Sequence, residues 1–235
     1  MRSRHRQPGL TAAAAAVCAL GLAGCATGGT AGVEPSPPAA EVAGAALETL
    51  LLEDPDIARI VDAPMILTVD TYAVMPDPAG RSYSDAFCGG AISSASTTLY
   101  QPATVTDVRG RRLADGGSDI PGTVVSRSVD QSVVVFPDAA AAREFVAAAR
   151  TGWAACAGVS VETRDDAGRA RWHLEQARYE GGVLSLSGTH PSGWVTEHAI
   201  SAQGQIVIDV AVSSSDAVTD RAATIVRTIA DRLSQ

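Results

Sequence analysis

The stretch VLSLSGTHPSGWVTEHAISAQGQIVIDVAV, residues 183–212, holds three apolar segments separated by short turn sequences. The segments are Val183–Ser187, Val195–Ser201 and Gln205–Val212, and the last alternates apolar side chains with the two-residue period of a β-strand. Sequences rich in Gly, Pro and Ser join them, which is typical of tight turns. Because consecutive strands with short connections usually pair side by side, this stretch predicts an antiparallel sheet.

Outward from this stretch, the same patterns predict five more strands and five helices. The strands are Met65–Val74, Thr104–Val108, Val124–Phe136, Val159–Thr163 and Ala170–Gln176. The helices are Val42–Leu52, Asp54–Val61, Asp85–Leu99, Ala139–Ala155 and a last one that Asp216 opens, with Val218 on its apolar face. We therefore expect an α+β fold in which the helices pack on one face of a twisted antiparallel sheet.

The N-terminus carries an export signal. Three arginines precede an apolar segment, Leu10–Leu22, that is shorter than the ~20 residues a membrane-spanning helix needs. The segment ends in Leu22-Ala23-Gly24-Cys25, which resembles the bacterial lipobox, where a cysteine is acylated after cleavage. We expect residues 1–24 to be a lipoprotein signal peptide and Cys25 to carry the lipid, including palmitate-type acyl chains. An ordinary secretory signal that happens to contain Cys25 is the alternative.

The signal places the mature chain at the extracytoplasmic face of the cell membrane. Residues 25–41 are rich in Gly, Pro and Thr and predict a flexible linker, which leaves residues 42–235 for one domain. The formal charge of −8 falls to about −11 once the three arginines of the signal are removed. Such a charge repels phosphate backbones, so we expect no nucleic acid partner and membrane contact through the lipid alone.

Two cysteines remain in the predicted domain, Cys88 and Cys156. In an oxidising compartment such a pair tends to close, and a loop of this length would stabilise the fold by ~4 kcal/mol in the chain-entropy model. Two free thiols or a redox couple are the alternatives, although redox couples usually have Cys-x-x-Cys spacing. We predict a structural Cys88–Cys156 disulfide.

Candidate catalytic groups are few. His173 and His198 lie in predicted strands and are expected to face solvent, whereas His190 belongs to a turn. No Gly-x-Ser-x-Gly elbow, zinc-binding His motif, phosphate loop or dinucleotide fingerprint occurs, so we expect no catalytic residue, metal or cofactor. Trp153 is assigned to the helix core. Trp172 and Trp194 are candidates for lining a ligand pocket, with ordinary sheet packing as the alternative.

Four short sequence motifs occur in order between about Ala45 and Leu233. They are Val133-Val134-Val135-Phe136, Trp153-Ala154-Ala155-Cys156-Ala157-Gly158, Gly193-Trp194 and Val207-Ile208-Asp209-Val210. In these motifs the chain resembles the extracellular sensor-domain family named after the mycobacterial serine/threonine kinase PknH. That family includes kinase ectodomains and stand-alone lipoproteins.

The resemblance implies a twisted sheet whose helices form a cleft for an unidentified ligand. It also implies a second disulfide, but its two positions fall here at Thr196 and Ser213. Our leading hypothesis is a lipid-anchored, non-enzymatic sensor or binding domain for a cell-envelope molecule or envelope protein. An envelope hydrolase with a Ser or His in the cleft and a purely structural lipoprotein are the alternatives.

Overall fold

A computed structural model describes residues 44–77, 81–116, 125–165, 168–216 and 219–234. The signal peptide, Cys25, the linker, Val42, Val124 and Val218 lie outside these residues. Within them, the antiparallel sheet has ten strands: β1 Leu67–Tyr72, β2 Ser82–Tyr83, β3 Asp107–Ala114, β4 Arg127–Val135, β5 Ser160–Asp165, β6 Gly168–Leu174, β7 Arg178–Glu180, β8 Val183–Thr189, β9 Val195–Gln203 and β10 Ile206–Ser214. The helices are α1 Gly44–Glu48, α2 Asp54–Val61, α3 Ala86–Gly90, α4 Thr97–Tyr100, α5 Ala139–Ala155 and α6 Arg221–Leu233.

The three strands predicted from residues 183–212, which are β8, β9 and β10, form the centre of the sheet. The strand order is β1-β3-β4-β10-β9-β8-β6-β5-β2, with β7 paired to β8. β10 pairs antiparallel with β9 on one side and β4 on the other along its whole length. The α+β class and the antiparallel sheet are therefore confirmed.

Helices cover both faces of the sheet, so the prediction that they pack on one face is wrong. One apolar cluster joins α1, α2 and α6 to residues such as Ile206 and Ile208 of β10. A second cluster joins α3, α4 and α5 to the opposite face, which includes Val134, Ile200 and Val207. The physical reason is visible in the central strands: β4, β9 and β10 are apolar at successive positions, so both of their faces need cover.

Residues 85–99 do not form one helix, as predicted, but two short ones. α3 begins after Asp85, whose carboxylate accepts a hydrogen bond from the N–H of Cys88. α4 begins after Ser96, and between the two helices Ala95 adopts a left-handed conformation with φ of 44°. Two glycines and this conformation end the first helix, because both weaken helical continuation.

The last helix begins later than predicted. It starts at Arg221 rather than near Asp216, and its N-cap residue Asp220 makes no side-chain capping bond. Instead Glu197 of β9, which is fully buried, accepts a hydrogen bond from the N–H of Ala222 at 3.1 Å. A carboxylate beside the positive end of a helix satisfies donors that would otherwise lack partners.

The remaining boundaries differ by a few residues. α2 has Glu53 as its N-cap rather than Asp54, and α1 is described only from Gly44 to Glu48. The strand predicted at Thr104–Val108 begins at Asp107 and continues to Ala114 as β3. The Sγ atoms of Cys88 and Cys156 are 2.02 Å apart in a disulfide, which joins α3 to the end of α5. No helix among the described residues has the length and apolar content to cross a membrane.

Candidate ligand-binding cleft

A cavity of about 380 Å³ lies between the sheet and the segment that follows β1. Its walls include three aromatic side chains, Tyr83, Trp172 and Trp194. A second cavity of about 280 Å³ shares four lining residues with it: Arg81, Tyr83, Ile92 and Ser93. We call the two cavities together the cleft, and the first and second cavities its aromatic and polar lobes.

The aromatic lobe combines apolar rings with a few polar groups. Trp172 of β6 and Trp194 before β9, the two candidates for a pocket wall, are both half-buried and line it. The ring centroid of Trp172 lies 5.3 Å from that of His190, at an angle of 49°. An apolar wall with a small number of polar groups is the usual composition of a site for a small organic ligand.

His190 and Ser192 make a local pair at the rim of the aromatic lobe. The Nδ1 atom of His190 accepts a hydrogen bond from the N–H of Ser192 at 3.2 Å and lies 2.6 Å from its Oγ atom. A nucleophilic serine needs such a contact, but it also needs a third group that orients the histidine. Among the described residues no carboxylate bonds to His190, and the pair closes the turn before Trp194.

Two hydroxyl groups form the floor of the same lobe. Thr196 of β9 and Ser213 of β10 face each other in the sheet, and their side-chain oxygens are 2.8 Å apart. Both residues line the cavity. The two positions at which the resemblance implies a second disulfide are therefore neighbours, and a hydrogen-bonded pair stands there in this chain.

Asp209 is fully buried in the centre of β10 and fixes one wall of the cleft. Its Oδ2 atom accepts hydrogen bonds from the hydroxyl of Tyr100 at 2.9 Å and the N–H of Ala95 at 3.0 Å. Its backbone carbonyl accepts a bond from Ser94. Residues 94 and 95 are thus tied to the sheet, and this holds the neighbouring Ile92 and Ser93 in place as cleft walls.

His198 is fully buried, so the prediction that it faces solvent is wrong. Its Nδ1 atom donates to the carbonyl of Ala91 at 3.0 Å, because a carbonyl oxygen can only accept. Its Nε2 atom lies 2.7 Å from Oδ1 of Asp209, within hydrogen-bond distance. β9 is a central strand covered on both faces, so polar–apolar alternation does not indicate exposure there. The pair is a closed structural link with no access for a substrate.

Asp130 of β4 lies in the polar lobe and has a perturbed pKa. Tyr72 donates to its Oδ1 atom at 2.7 Å and Arg112 donates to its Oδ2 atom at 3.2 Å. Burial raises the pKa of Asp130 to about 6, although both hydrogen bonds and the Arg112 charge act to lower it. Burial likewise raises the pKa of Tyr72, and the neighbouring carboxylate adds to that shift.

Trp153 of α5 is fully buried in the apolar core, and His173 of β6 is exposed, both as predicted. Within the described part of the chain, no group of three or more His, Cys, Asp and Glu side chains is placed to hold a metal ion.

Sequence reasoning missed the polar anchors Asp209, Tyr100 and Asp130. One signal was available: a carboxylate in the middle of the apolar motif Val207-Ile208-Asp209-Val210 needs a buried partner. The sequence offers no means of naming that partner.

The fold and the site define a disulfide-bonded α+β domain with a cleft lined by aromatic and polar side chains. The family described as "PknH-like extracellular domain" matches residues 42–232, and the chain belongs to this family. The crystal structure of the extracellular domain of PknH from Mycobacterium tuberculosis aligns with a TM-score of 0.75 at 25% identity. The alignment covers 82% of this chain and 97% of that one.

Two curated relatives are full-length kinases. The serine/threonine-protein kinases PknH of Mycobacterium bovis and Mycobacterium tuberculosis are each 26% identical to this chain over 206 residues, or 86% of its length. The match covers 33% and 31% of those kinases, so the chain spans about a third of their length.

Proposed function

We propose that this protein is a lipid-anchored, non-catalytic sensor domain that binds a small cell-envelope molecule in the cleft. The observation that carries the proposal is the aromatic lobe, a preformed cavity of about 380 Å³ with two tryptophans in its wall. Its size falls within the range of small-molecule sites, which is ~300–1,000 Å³. Membership of a family of extracellular domains supports a role outside the membrane.

The lining residues favour a ligand with a flat or ring-shaped apolar face and several hydroxyl or carbonyl groups. Such a face would stack on Trp172 and Trp194, and rings are the side chains best suited to stacking. The hydroxyls of Thr196 and Ser213 offer donors and acceptors at the floor of the lobe, and the guanidinium of Arg81 offers donors at its edge. A sugar of an envelope glycan has this combination of features.

The cleft can be tested through its own tryptophans. The chain has three, of which Trp172 and Trp194 line the cleft and Trp153 is buried, so ligand binding should change the fluorescence of the first two. Native mass spectrometry of protein purified from its own envelope should show a bound molecule. That molecule should be lost from the Trp172→Ala variant and retained by the control Phe87→Ala, whose exposed ring lines neither lobe of the cleft.

Two results would contradict the binding proposal. One is the absence of any co-purifying molecule together with tryptophan fluorescence that envelope extracts leave unchanged. The other is a bound molecule that Trp172→Ala retains in full. A correct fold, checked by circular dichroism, is required of both variants before the comparison is made.

The lipid anchor is a separate part of the proposal, supported by the Leu22-Ala23-Gly24-Cys25 motif and by the extracellular family. In the native host, wild-type protein should partition with the membrane fraction. Mass spectrometry should find an acylated Cys25 at the mature N-terminus. The Cys25→Ala variant should lose the acyl groups and the cleavage that follows acylation. Recovery of unacylated wild-type protein with residues 1–24 intact would contradict this part alone.

A hydrolase remains the second candidate because Ser192 Oγ lies 2.6 Å from His190 Nδ1 in the same lobe. We expect no catalysis, since the described residues supply no carboxylate to orient the histidine. A fluorophosphonate probe tests this directly, because it labels only activated serines. Labelling of Ser192 that the His190→Ala variant abolishes would replace the sensor proposal with the hydrolase.

A further inference from the structure

A second concave surface lies between α5 and strands β7 to β9, apart from the cleft. It is a groove of about 840 Å³ that shares no lining residue with the two lobes of the cleft. One wall is the exposed side of α5, and the other wall is β7 with the turn at Gly182. Leu184 and Ser201 form part of the floor, where the Ser201 hydroxyl donates to the carbonyl of Gly182 at 3.0 Å.

The groove is positively charged in an acidic protein. Three arginines line it, Arg143 and Arg150 of α5 and Arg178 of β7, and its described lining residues include no Asp or Glu. The whole chain has a formal charge of −8. An acid-free concave surface of this kind concentrates positive potential locally, even where the net charge of the protein repels anions.

Two of these guanidinium groups are free for a ligand. Arg178 forms an ion pair with Asp220 at 2.9 Å. In the described part of the chain neither Arg143 nor Arg150 forms an ion pair, whereas Arg109, Arg111 and others each have a carboxylate partner. Unused guanidinium donors match the geometry of carboxylate and phosphate oxygens.

The arrangement on α5 suits more than one anionic group. Arg143 and Arg150 are seven residues apart on a helix, which places their Cα atoms about 10 Å apart along one face. Of the residues that line this wall, only Val146 and Ala147 lie between them in the helix. The ring of Tyr179 holds the Arg150 guanidinium at 4.6 Å in a cation–π contact, which limits its motion without using its hydrogen-bond donors.

We propose that this arginine groove, defined by Arg143, Arg150, Arg178 and Tyr179, is a second binding site that takes a ligand with at least two phosphate or carboxylate groups. Arg150, held over Tyr179, forms the ordered contact, and Arg143 binds the second anionic group two helical turns away. Arg178 adds positive charge from the opposite wall. The ligand is a soluble polyanion or a cluster of anionic lipid headgroups at the membrane surface, and both have the same oxyanion chemistry.

Inorganic tripolyphosphate is the first probe, measured by isothermal titration calorimetry at low salt. Wild-type protein should bind it with an affinity that falls as salt rises. The double variant Arg143→Gln/Arg150→Gln should bind about tenfold more weakly or worse, because each lost charge-assisted bond to an oxyanion is worth a large factor. The matched control Arg171→Gln/Arg227→Gln removes the same charge from exposed arginines outside the groove and should change affinity by less than about twofold.

Vesicles of phosphatidylcholine with and without phosphatidylglycerol, in a sedimentation assay, identify the source of the anion. Binding to the anionic vesicles that depends on Arg143 and Arg150 supports the proposal and assigns lipid headgroups. Tripolyphosphate binding without vesicle binding supports it and assigns a soluble ligand. The proposal is overturned when neither probe binds, or when the control variant loses as much affinity as the groove variant.

Discussion

At the scale of single residues, Asp130 shows how burial outweighs favourable partners. It accepts hydrogen bonds from Tyr72 and Arg112, yet its pKa is raised to about 6 from an ordinary value of 3.8. A raised carboxyl pKa means that the folded state holds the proton more tightly than the unfolded chain. The stabilisation is therefore fully present below pH 3.8 and is lost as pH rises through about 6.

Replacing Asp130 should flatten this part of the pH profile. We expect the free energy of unfolding of wild type to fall, relative to that of Asp130→Asn, by up to about 3 kcal/mol between pH 4 and pH 7. Urea denaturation at several pH values measures the difference. Asp70→Asn is the control, since Asp70 contacts the same Arg112 but is exposed, and it should keep the wild-type slope. A wild-type slope in Asp130→Asn would contradict the prediction.

Gly110 of β3 makes room for the same network. A Cβ atom at this position would lie 2.0 Å from Cζ of Tyr72, so the ring must move and its bond to Asp130 must break. We expect Gly110→Ala to destabilise the fold by about 1–3 kcal/mol, the usual cost of overpacking. When Gly110→Ala is added to Tyr72→Ala, it should cost little further stability, because the obstructing ring is gone. An additive double variant would show that the ring is not the cause.

Residue-scale features were the least accessible to sequence reasoning. Trp172 and Trp194 were identified as pocket candidates because they lie on strands or at strand ends and pockets favour aromatic side chains with a few polar groups. The prediction that His198 faces solvent failed because a central strand has both of its faces buried. The sequence of a single strand does not show which elements will cover it. Two partners of Asp209, Ala95 and Tyr100, are more than 100 residues away in the chain, and no local pattern encodes that distance.

At the scale of elements, local pattern predicted most of what the structure contains. The alternation in residues 205–212 gave β10, and the Asp138 cap with the following alanines gave α5, whose N–H groups at Ala140 and Ala141 bond to that carboxylate. The failures fall where tertiary contacts replace local signals. The start of α6 is set by Glu197 from β9 rather than by Asp216, and residues 91–96 are shaped by Asp209.

The rung between β9 and β10 offers an element-scale prediction. Thr196 and Ser213 are directly opposed, with side-chain oxygens 2.8 Å apart and a sequence separation of 17. We expect Thr196→Cys/Ser213→Cys to form a disulfide spontaneously on export and to stabilise the fold by about 3 kcal/mol in the chain-entropy model. Thermal unfolding with and without reductant measures this. The single variant Thr196→Cys is the control, and a double variant that keeps two free thiols would contradict the geometry.

At the scale of the whole molecule, the sheet separates two apolar layers that depend on different constraints. The layer of α1, α2 and α6 is held by side-chain packing and by the Glu197 contact to α6. The layer of α3, α4 and α5 borders the cleft and contains both the disulfide and the residues tied to Asp209. The cleft therefore lies on the side of the sheet that α3, α4 and α5 cover. The covering segment there has little regular structure, and two local constraints hold it: the disulfide and the contacts with Asp209.

Removing the disulfide should consequently affect the two layers unequally. In Cys88→Ala/Cys156→Ala the loop of 68 residues is no longer closed, and the fold should lose about 4 kcal/mol of stability in the chain-entropy model. Below global unfolding, hydrogen exchange should rise first in residues 86–100, because α3 loses its covalent link to α5 while Asp209 still holds only residues 94 and 95. Residues 221–233 of α6 should keep wild-type protection, since nothing in that layer has changed. Asp209→Asn, made as a second variant with the disulfide intact, should loosen the same 86–100 segment from its other end. Equal loss of protection in α6 and in residues 86–100 would show instead that the two layers open as one cooperative unit.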